Sequence, residues 1–228
     1  MAQYRWNVKE IAAGYDAAAA HIHPHYDEIQ EKILQSLEFM GSEFLLVDVG
    51  SGSGRLVEKF LHRFPGTRAV LIDQSESALA LADSRLKQFG HRAVCRLARV
   101  QDDWFGTVDE PAAIVSMSAV HHLNPNEKQQ FYQRSHSALA PGGLLLNGDE
   151  VRPADDAAYL EQCKRWVTHM HRVMQEGLVP EPMCDALRGW EQRNVTRFGE
   201  PRSSGDDCHE TAEVQCGYLE ATAIYLYS

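Results

Sequence analysis

Three glycines recur at every second position of one short segment: Gly50, Gly52 and Gly54. Because glycine has no Cβ atom, a turn built this way can adopt positive φ angles and let a ligand approach the backbone closely. Two carboxylates end aliphatic runs in the same region, Asp48 just before the turn and Asp73 further along the chain. A carboxylate placed like Asp73 accepts hydrogen bonds from ribose hydroxyls. The segment therefore predicts a site for a ligand that carries a ribose.

The spacing of these glycines distinguishes between ligands. It is Gly-x-Gly-x-Gly, whereas dinucleotide-binding turns carry Gly-x-Gly-x-x-Gly and place a pyrophosphate at a helix N-terminus. A carboxylate at Asp48 also suits an ammonium group better than a pyrophosphate, because opposite charges attract. The pattern favours S-adenosylmethionine (SAM) over NAD. An NAD-dependent oxidoreductase stays as the less favoured alternative.

Two adjacent histidines are the second chemical feature. His121 and His122 follow a later aliphatic run, and a histidine has a pKa that lets it accept a proton near neutrality. We expect His122, with His121 beside it, to be the candidate general base. Asp149 and Glu150 end the next aliphatic run and form a second candidate pair. For these two acids, solvated turn positions or a partner for Arg152 are the favoured interpretation.

The elements that must position these residues follow from hydrophobic periodicity. Aliphatic runs alternate with helical-period segments from residue 43 to about residue 147, which predicts an α/β fold with a Rossmann-like, doubly wound and mostly parallel sheet. The predicted strands are Phe44 to Val49, Ala69 to Asp73, Val94 to Leu97, Ala113 to Met117 and Leu144 to Leu146. The carboxyl ends of parallel strands form one edge, where such sheets bind ligands. The glycine turn, the two carboxylates and the histidines should therefore converge there.

Helical segments outside this alternation could roof the site. Residues 7–20 and 25–38 have amphipathic periodicity before the first strand, and residues 155–177 have it after the fifth. We expect one domain over residues 1–228, built from four parts. These are an N-terminal helical cap (1–42), a SAM-binding core (43–150), a helical insertion after strand five (151–205) and a C-terminal helix and strand (206–228).

Composition restricts the function classes. The formal net charge of −10 disfavours a polyanionic partner, so we expect no nucleic acid. There is no apolar run of membrane-spanning length and no secretory pattern at the N-terminus, so we expect no membrane and a cytoplasmic location. His21, His23 and His25 alternate, but solvated or pocket-lining histidines are favoured over a metal site there, and we expect no metal. The five cysteines include no Cys-x-x-Cys pair and are interpreted as reduced.

Four segments occur in the order of a known family's motifs. They are Val-Asp-Val-Gly-Ser-Gly-Ser-Gly, Leu-Ile-Asp-Gln-Ser, Ser-Met-Ser-Ala-Val-His-His-Leu and Leu-Ala-Pro-Gly-Gly-Leu-Leu-Leu. Over residues 44–150 the chain resembles the class I SAM-dependent methyltransferases of small-molecule type. The resemblance implies that SAM is bound and that S-adenosyl-L-homocysteine is released. It also implies that Asp48 reaches the methionine end of SAM, that Gly50 and Gly52 pass beneath it, that Asp73 holds the ribose, and that Gln74 borders the adenine.

Further cofactor contacts are expected around the same ligand. The candidates are Ser51, Gly54, Arg99, Gln101, Asp102, Ser116 and Tyr15. The family usually has an acidic residue after strand three that contacts the adenine amino group, and here the register could place Ala98 or Asp102 at that point. Tyr15 and Tyr26 lie in the leading helices, where packing in the core is an equal alternative to contact with SAM or substrate.

The resemblance leaves the methyl acceptor open. No Asn-Pro-Pro-Tyr-like segment follows strand four, which disfavours amino groups of nucleobases or glutamine and favours a small or medium-sized metabolite. A SAM-binding protein without methyltransferase activity is the second hypothesis. Residues 215–225 resemble the family's sixth strand and the helix before it, after which a hairpin normally brings an antiparallel seventh strand. If the sheet ends at strand six, another chain could cover its edge, so a homodimer is possible.

Overall fold

The computed structural model describes residues 5–149, 155–196 and 223–227, and in these ranges the strands form one six-stranded sheet. The strands are β1 (Leu45–Val49), β2 (Arg68–Asp73), β3 (Ala93–Leu97), β4 (Ala113–Met117), β5 (Leu144–Asp149) and β6 (Ala223–Tyr227). Their order is β3-β2-β1-β4-β5-β6, with the first five strands parallel. The predicted doubly wound, mostly parallel sheet is confirmed, and the strand order reverses between β1 and β4.

Seven α-helices accompany the sheet in the described ranges. They are α1 (Lys9–Ile22), α2 (Tyr26–Ser36), α3 (Arg55–Arg63), α4 (Glu76–Leu86), α5 (Pro125–Ala138), α6 (Asp156–Gln175) and α7 (Glu181–Glu191). Local chemistry sets their starts. Ser75 caps α4 by accepting from the Ala78 amide, and Asn124 and Glu127 form a reciprocal capping box at α5.

The sheet buries both faces, because its central strands alternate aliphatic side chains toward two layers of helices. Leu46, Leu71 and Leu146 belong to the cluster under α2, α3 and α4. Val47 and Ile114 belong to the cluster under α5. A third apolar cluster joins α1, α6 and α7, so the leading helices and the helices after β5 pack on each other.

The contact of α2 with β5 depends on a glycine. A Cβ atom at Gly148 would lie 2.5 Å from Cγ2 of Ile29, so only glycine allows this approach. The α2 helix thereby lies directly against the last parallel strand. This brings the N-terminal helices to the edge of the sheet at which the candidate residues were predicted.

The terminal strand differs from the sequence expectation. Residues 223–225 were expected to continue the parallel sheet as its sixth strand, with any antiparallel strand following later. The structure pairs β6 antiparallel with β5, with Leu145 opposite Tyr227. Strand direction depends on the connection before the strand, and residues 206–222, where the C-terminal helix was predicted, lie outside the described residues. A hydrophobic run alone does not fix that direction.

One edge of the described sheet is β3, which exposes Val94 and Leu97. The homodimer stays a prediction. A membrane span would need a longer and more apolar helix than any in the described residues.

Candidate active site

A cavity of about 390 Å³ opens above the carboxyl ends of β1, β2 and β4. Its floor comes from the glycine turn and from the loops after these strands, and its roof comes from α1, α2, α6 and α7. The position is the switch point of the strand order, where open α/β sheets bind their ligands.

The glycine turn is held open by backbone contacts. Gly50 and Gly52 have φ angles of +73° and +54°, a region that favours glycine. The Gly50 amide donates to the Ile72 carbonyl at 2.8 Å. The Gly52 amide donates to Oδ2 of Asp73 and the Ser75 amide to Oδ1, each at 2.8 Å. Asp73 therefore shapes the turn, and its carboxylate keeps lone-pair capacity for a ligand.

Asp48 is a buried carboxylate at the centre of the cavity floor. Its residue is 2% exposed, and burial, with the nearby charge of Asp73, raises its pKa to about 8. Burial also raises the pKa of Asp73, although the backbone amides that donate hydrogen bonds to its carboxylate lower this pKa in part. Among the described residues, nothing hydrogen-bonds the buried Ser51 hydroxyl. Such a floor suits a ligand that brings a cation and hydroxyl groups.

Gly54 was predicted to contact the cofactor, but in the structure it forms the start of a helix. Its φ is +76°, it caps the start of α3, and a Cβ atom there would lie 3.1–3.2 Å from Leu86, Ala82 and Leu71. It does not line the cavity. The residue is glycine because of the left-handed turn and the close packing of α4.

A cluster of hydrogen bonds ties α1 to the glycine turn. Asp16 of α1 accepts from the Ser53 hydroxyl, from Arg55 Nε at 2.9 Å and from Arg85 Nη2 at 2.9 Å. Arg55 also donates to the Asp16 carbonyl at 2.6 Å. Burial alone would raise the pKa of Asp16, but the hydrogen bonds from Arg85, Ser53 and Arg55 hold it below its ordinary value. We call these four residues the Asp16 clamp.

The loop after β3 places only one of its three predicted contacts in the cavity. Gln101 lines the cavity together with Val100. Arg99 and Asp102 pair with each other at 2.8 Å, and the Arg99 side chain is 62% exposed. This correction has a local cause: Asp102 also accepts from the Arg99 amide, so the two residues close a short turn that points them to solvent.

At the end of β4, the residues that line the cavity differ from the predicted Ser116. Ser116 is fully buried and donates to the Val49 carbonyl at 2.8 Å, so it joins β4 to β1 and does not line the cavity. Ser118 and Ala119 line it. Ser118 has φ of +53°, which is strained for a residue other than glycine and is typical of functional loops. That turn leads into the short 3-10 helix Val120–His122.

His121 and Asp149 form a buried pair at the cavity. Nδ1 of His121 lies 2.5 Å from Oδ1 of Asp149, and the His121 amide donates to Oδ2 at 2.8 Å. Both side chains are at most 8% exposed. The structure therefore corrects the interpretation of Asp149 as a solvated turn acid. His122 also lines the cavity, while Glu150 lies outside the described residues.

The roof is aromatic and divides the three alternating histidines. Tyr15 lines the cavity, and its hydroxyl lies 2.9 Å from Nε2 of His23. His25 instead pairs with Glu28 outside the cavity, and the His21 carbonyl accepts from His169. No cluster of three or more metal-ligating side chains occurs in the described parts of the chain.

Sequence reasoning missed several residues of the site. Asp16 and Arg55 of the clamp and the roof residues Gln30, Trp166 and Trp190 line the cavity without belonging to any motif. The amphipathic periodicity of their helices marks which residues are apolar. It does not tell which of them face a ligand.

Comparison with known proteins agrees with this geometry. Residues 47–145 match the protein family described as "Methyltransferase domain". An uncharacterized methyltransferase of Oceanobacillus iheyensis is 26% identical over 151 residues, which is 65% of this chain and 64% of that protein. The ribosomal RNA small subunit methyltransferase H of Mycolicibacterium smegmatis is 31% identical over 120 residues, 50% of this chain and 31% of that protein. The matched segments thus span less than two thirds of either relative.

Among solved structures, DesVI of Streptomyces venezuelae superposes with a TM-score of 0.51 at 25% identity, over 62% of this chain and 58% of that one. The ribosomal RNA relative means that the expectation of no nucleic-acid partner, which came from net charge, is not supported by the comparisons. The family match covers the turn, both carboxylates and the histidine loop. Residues 47–145 therefore match a methyltransferase domain, and the sheet that they contribute has the Rossmann-like order of strands.

Proposed function

We propose that this protein transfers the methyl group of SAM to a small or medium-sized metabolite. The observation that carries the proposal is the convergence of Asp48, the glycine turn and the His121–Asp149 pair on one roofed cavity. The first two suit a cationic ligand with hydroxyl groups. The third suits an acceptor that must lose a proton.

The residues of the cavity floor fit SAM. The Asp48 carboxylate would pair with the ammonium of the methionine end, which offsets the cost of its burial. The free lone pairs of Asp73 would accept from the ribose hydroxyls, and the Ser51 hydroxyl would find a partner in the ligand. Gly50 and Gly52 leave the backbone open beneath the ligand, and Gln74 with Gln101 would border the adenine.

When bound, SAM supplies a methyl group on a positively charged sulfur. The task of the chain is to place the acceptor in line with that methyl group and to remove the acceptor's proton. His121 is arranged for proton removal, because Asp149 holds its Nδ1 and so assigns proton transfer to Nε2. Asp149 is then a positioning residue that also stabilises the imidazolium.

A small acceptor is favoured by the shape and charge of the cavity. Helices α1, α2, α6 and α7 close over it, and α1 is fastened by the Asp16 clamp. Among the described residues that line it, Arg55 is the one permanent cation, and its Nε and Nη2 atoms donate to Asp16. A polyphosphate chain would need more cations than this. In this proposal the cap (1–42) and the insertion (151–205) form the acceptor pocket.

Calorimetry with the purified chain tests the first half of the proposal. We expect SAM and S-adenosyl-L-homocysteine to bind, and NAD not to bind. Binding of NAD without SAM would overturn the proposal in favour of an oxidoreductase. A methyl-transfer assay with labelled SAM on a broad metabolite panel tests the second half. Binding without turnover on that panel would favour a SAM-binding protein without transferase activity.

A further inference from the structure

The acceptor side of the cavity is walled by aromatic rings from three helices and from the turn before α2. The rings of His23 and Trp166 lie 6.5 Å apart at 19°, and those of His23 and Tyr26 lie 6.1 Å apart at 22°. Trp190 meets Trp166 edge-on at 4.3 Å. The His23 ring is thus nearly parallel to the rings of Trp166 and Tyr26, and all four residues line the cavity. We call Tyr26, His23, Trp166 and Trp190 the aromatic wall.

The aromatic wall carries no charge near neutral pH. Burial, with the neighbouring His121 and His169, lowers the pKa of His23 to about 3, so its imidazole is neutral. Burial raises the pKa of Tyr26 to about 12, so its phenol keeps its proton. The indole N–H of Trp166 is used by the Ile22 carbonyl at 2.8 Å. The wall therefore offers ring faces and edges to an acceptor.

Charged acceptors find no matching group on this side among the described residues. The carboxylates that line the cavity are Asp16, Asp48 and Asp73, which belong to the clamp and the cofactor floor. Arg55 is held by Asp16. Within the described ranges, an acceptor carboxylate or phosphate would find no unpaired arginine or lysine along this cavity, and an ammonium would find no carboxylate outside the SAM end and the clamp.

We propose that the methyl acceptor is an uncharged planar aromatic compound with a ring hydroxyl, which lies against the aromatic wall and presents its hydroxyl to His121. This inference rests on the proposed function and names its substrate class. The O–H proton passes to Nε2 of His121 while the oxygen forms a bond to the methyl carbon. The bond between the methyl carbon and sulfur breaks, and its electron pair stays on sulfur. An aryl methyl ether and a neutral thioether result, and the released proton carries away the positive charge.

Binding of matched probes tests the inference separately from catalysis. Calorimetry in the presence of S-adenosyl-L-homocysteine compares 2-naphthol with 2-naphthoate, 2-naphthylmethylamine and the saturated alcohol 2-decalol. We expect 2-naphthol to bind at least tenfold more tightly than each of the others. Equal or tighter binding of the carboxylate, the amine or the saturated alcohol would overturn the proposed substrate class, as would methylation of ribosomal RNA with no turnover of phenols.

Substitution at the wall provides the matched controls. Trp166→Ala should weaken 2-naphthol binding at least tenfold, whereas Trp166→Phe keeps a ring and should weaken it less than threefold. Thermal unfolding and affinity for S-adenosyl-L-homocysteine report whether either variant is disturbed elsewhere. Unchanged 2-naphthol affinity in folded Trp166→Ala contradicts the role of the wall. If S-adenosyl-L-homocysteine itself fails to bind the unaltered chain, the proposed function fails first.

Discussion

The two ends of the cavity are lined by different kinds of chemical group. The proposed cofactor end uses buried carboxylates near the carboxyl ends of β1 and β2, with backbone amides and glycines of the loops that follow. The acceptor end uses aromatic side chains on α2, α6, α7 and the turn before α2. The first end is acidic and polar, and the second is neutral and apolar. A ligand common to many enzymes needs fixed backbone geometry, whereas an acceptor peculiar to one enzyme can be selected by side chains on added helices.

The ends meet at the loop after β4. Ala119 of this loop contacts the glycine turn so closely that a Cβ atom at Gly50 would collide with it. Two residues later His121 reaches Asp149. The packing that fixes the turn therefore also fixes the candidate base. The predictions below separate the contributions of the two ends, beginning with the largest expected effect.

The first prediction concerns the acceptor end. Asp149→Asn should lower kcat by about 10²–10⁴-fold, because an amide does not hold the His121 tautomer or stabilise its cation. Affinity for SAM, measured by calorimetry, should change less than threefold. Equal losses in kcat and in SAM affinity would show that Asp149 only supports the fold.

The second prediction tests the contact between the ends. Gly50→Ala places a Cβ atom against Ala119 at φ of +73°, and we expect it to lower the free energy of unfolding by about 2–4 kcal/mol. Gly52→Ala is the matched control. Its φ is +54°, but nothing lies within 4 Å of the added atom, so only about 1–2 kcal/mol should be lost. Denaturant unfolding measures both.

Adding Ala119→Gly to Gly50→Ala removes the colliding atom. The double variant should recover about 1–2 kcal/mol relative to additive losses. Strict additivity would mean that the turn and the histidine loop are not coupled by this contact.

The third prediction concerns the charge of the cofactor end. Asp48→Asn should weaken SAM binding about 10- to 100-fold at neutral pH, since a charge-assisted contact is lost. The same change should stabilise the ligand-free protein. The native pKa of Asp48 is raised to about 8, so the native state holds this proton more tightly than the unfolded state does. The contribution of Asp48 to the free energy of unfolding therefore falls as pH rises from about 4 to about 8.

An asparagine side chain does not titrate, so Asp48→Asn lacks this pH dependence. The difference in free energy of unfolding between Asp48→Asn and the unaltered protein should therefore grow by roughly 2–4 kcal/mol between pH 5 and pH 8, in favour of the variant. Asp102→Asn is the control, because the Asp102 pKa is lowered by its hydrogen bonds with Arg99. The difference in free energy of unfolding between Asp102→Asn and the unaltered protein should not grow over this pH range. If the difference in free energy of unfolding between Asp48→Asn and the unaltered protein stays constant across this pH range, the raised pKa of Asp48 is contradicted.

The smallest expected effect distinguishes the residues after β3. Gln101→Ala should weaken SAM binding about three- to tenfold, because its side chain lines the cavity and one hydrogen bond is lost. Arg99→Ala removes an exposed pair with Asp102 and should change both SAM affinity and stability by less than about 0.5 kcal/mol. A larger effect at Arg99 would restore the adenine contact that the sequence suggested.

The sequence by itself determined the sheet of this protein and the residues of the cavity floor. Strand and helix periodicity, the glycine turn with Asp48 and Asp73, and His121 with His122 are local patterns, and local patterns survive without tertiary information. The predicted strands agree with the structure within a few residues, and α1, α2 and α6 occur where amphipathic periodicity placed them. Capping residues such as Asn124 lie next to the elements that they begin.

Only the tertiary structure decided how side chains are used. Asp149 pairs with His121 across 28 residues, Asp16 reaches Arg85 across 69, and Trp166 meets the Ile22 carbonyl across 144. A residue type does not encode such partners, because the choice depends on which segments the packed helices bring together. Ser116 and Gly54 show the converse, since packing turned two predicted ligand contacts into a strand bridge and a helix start.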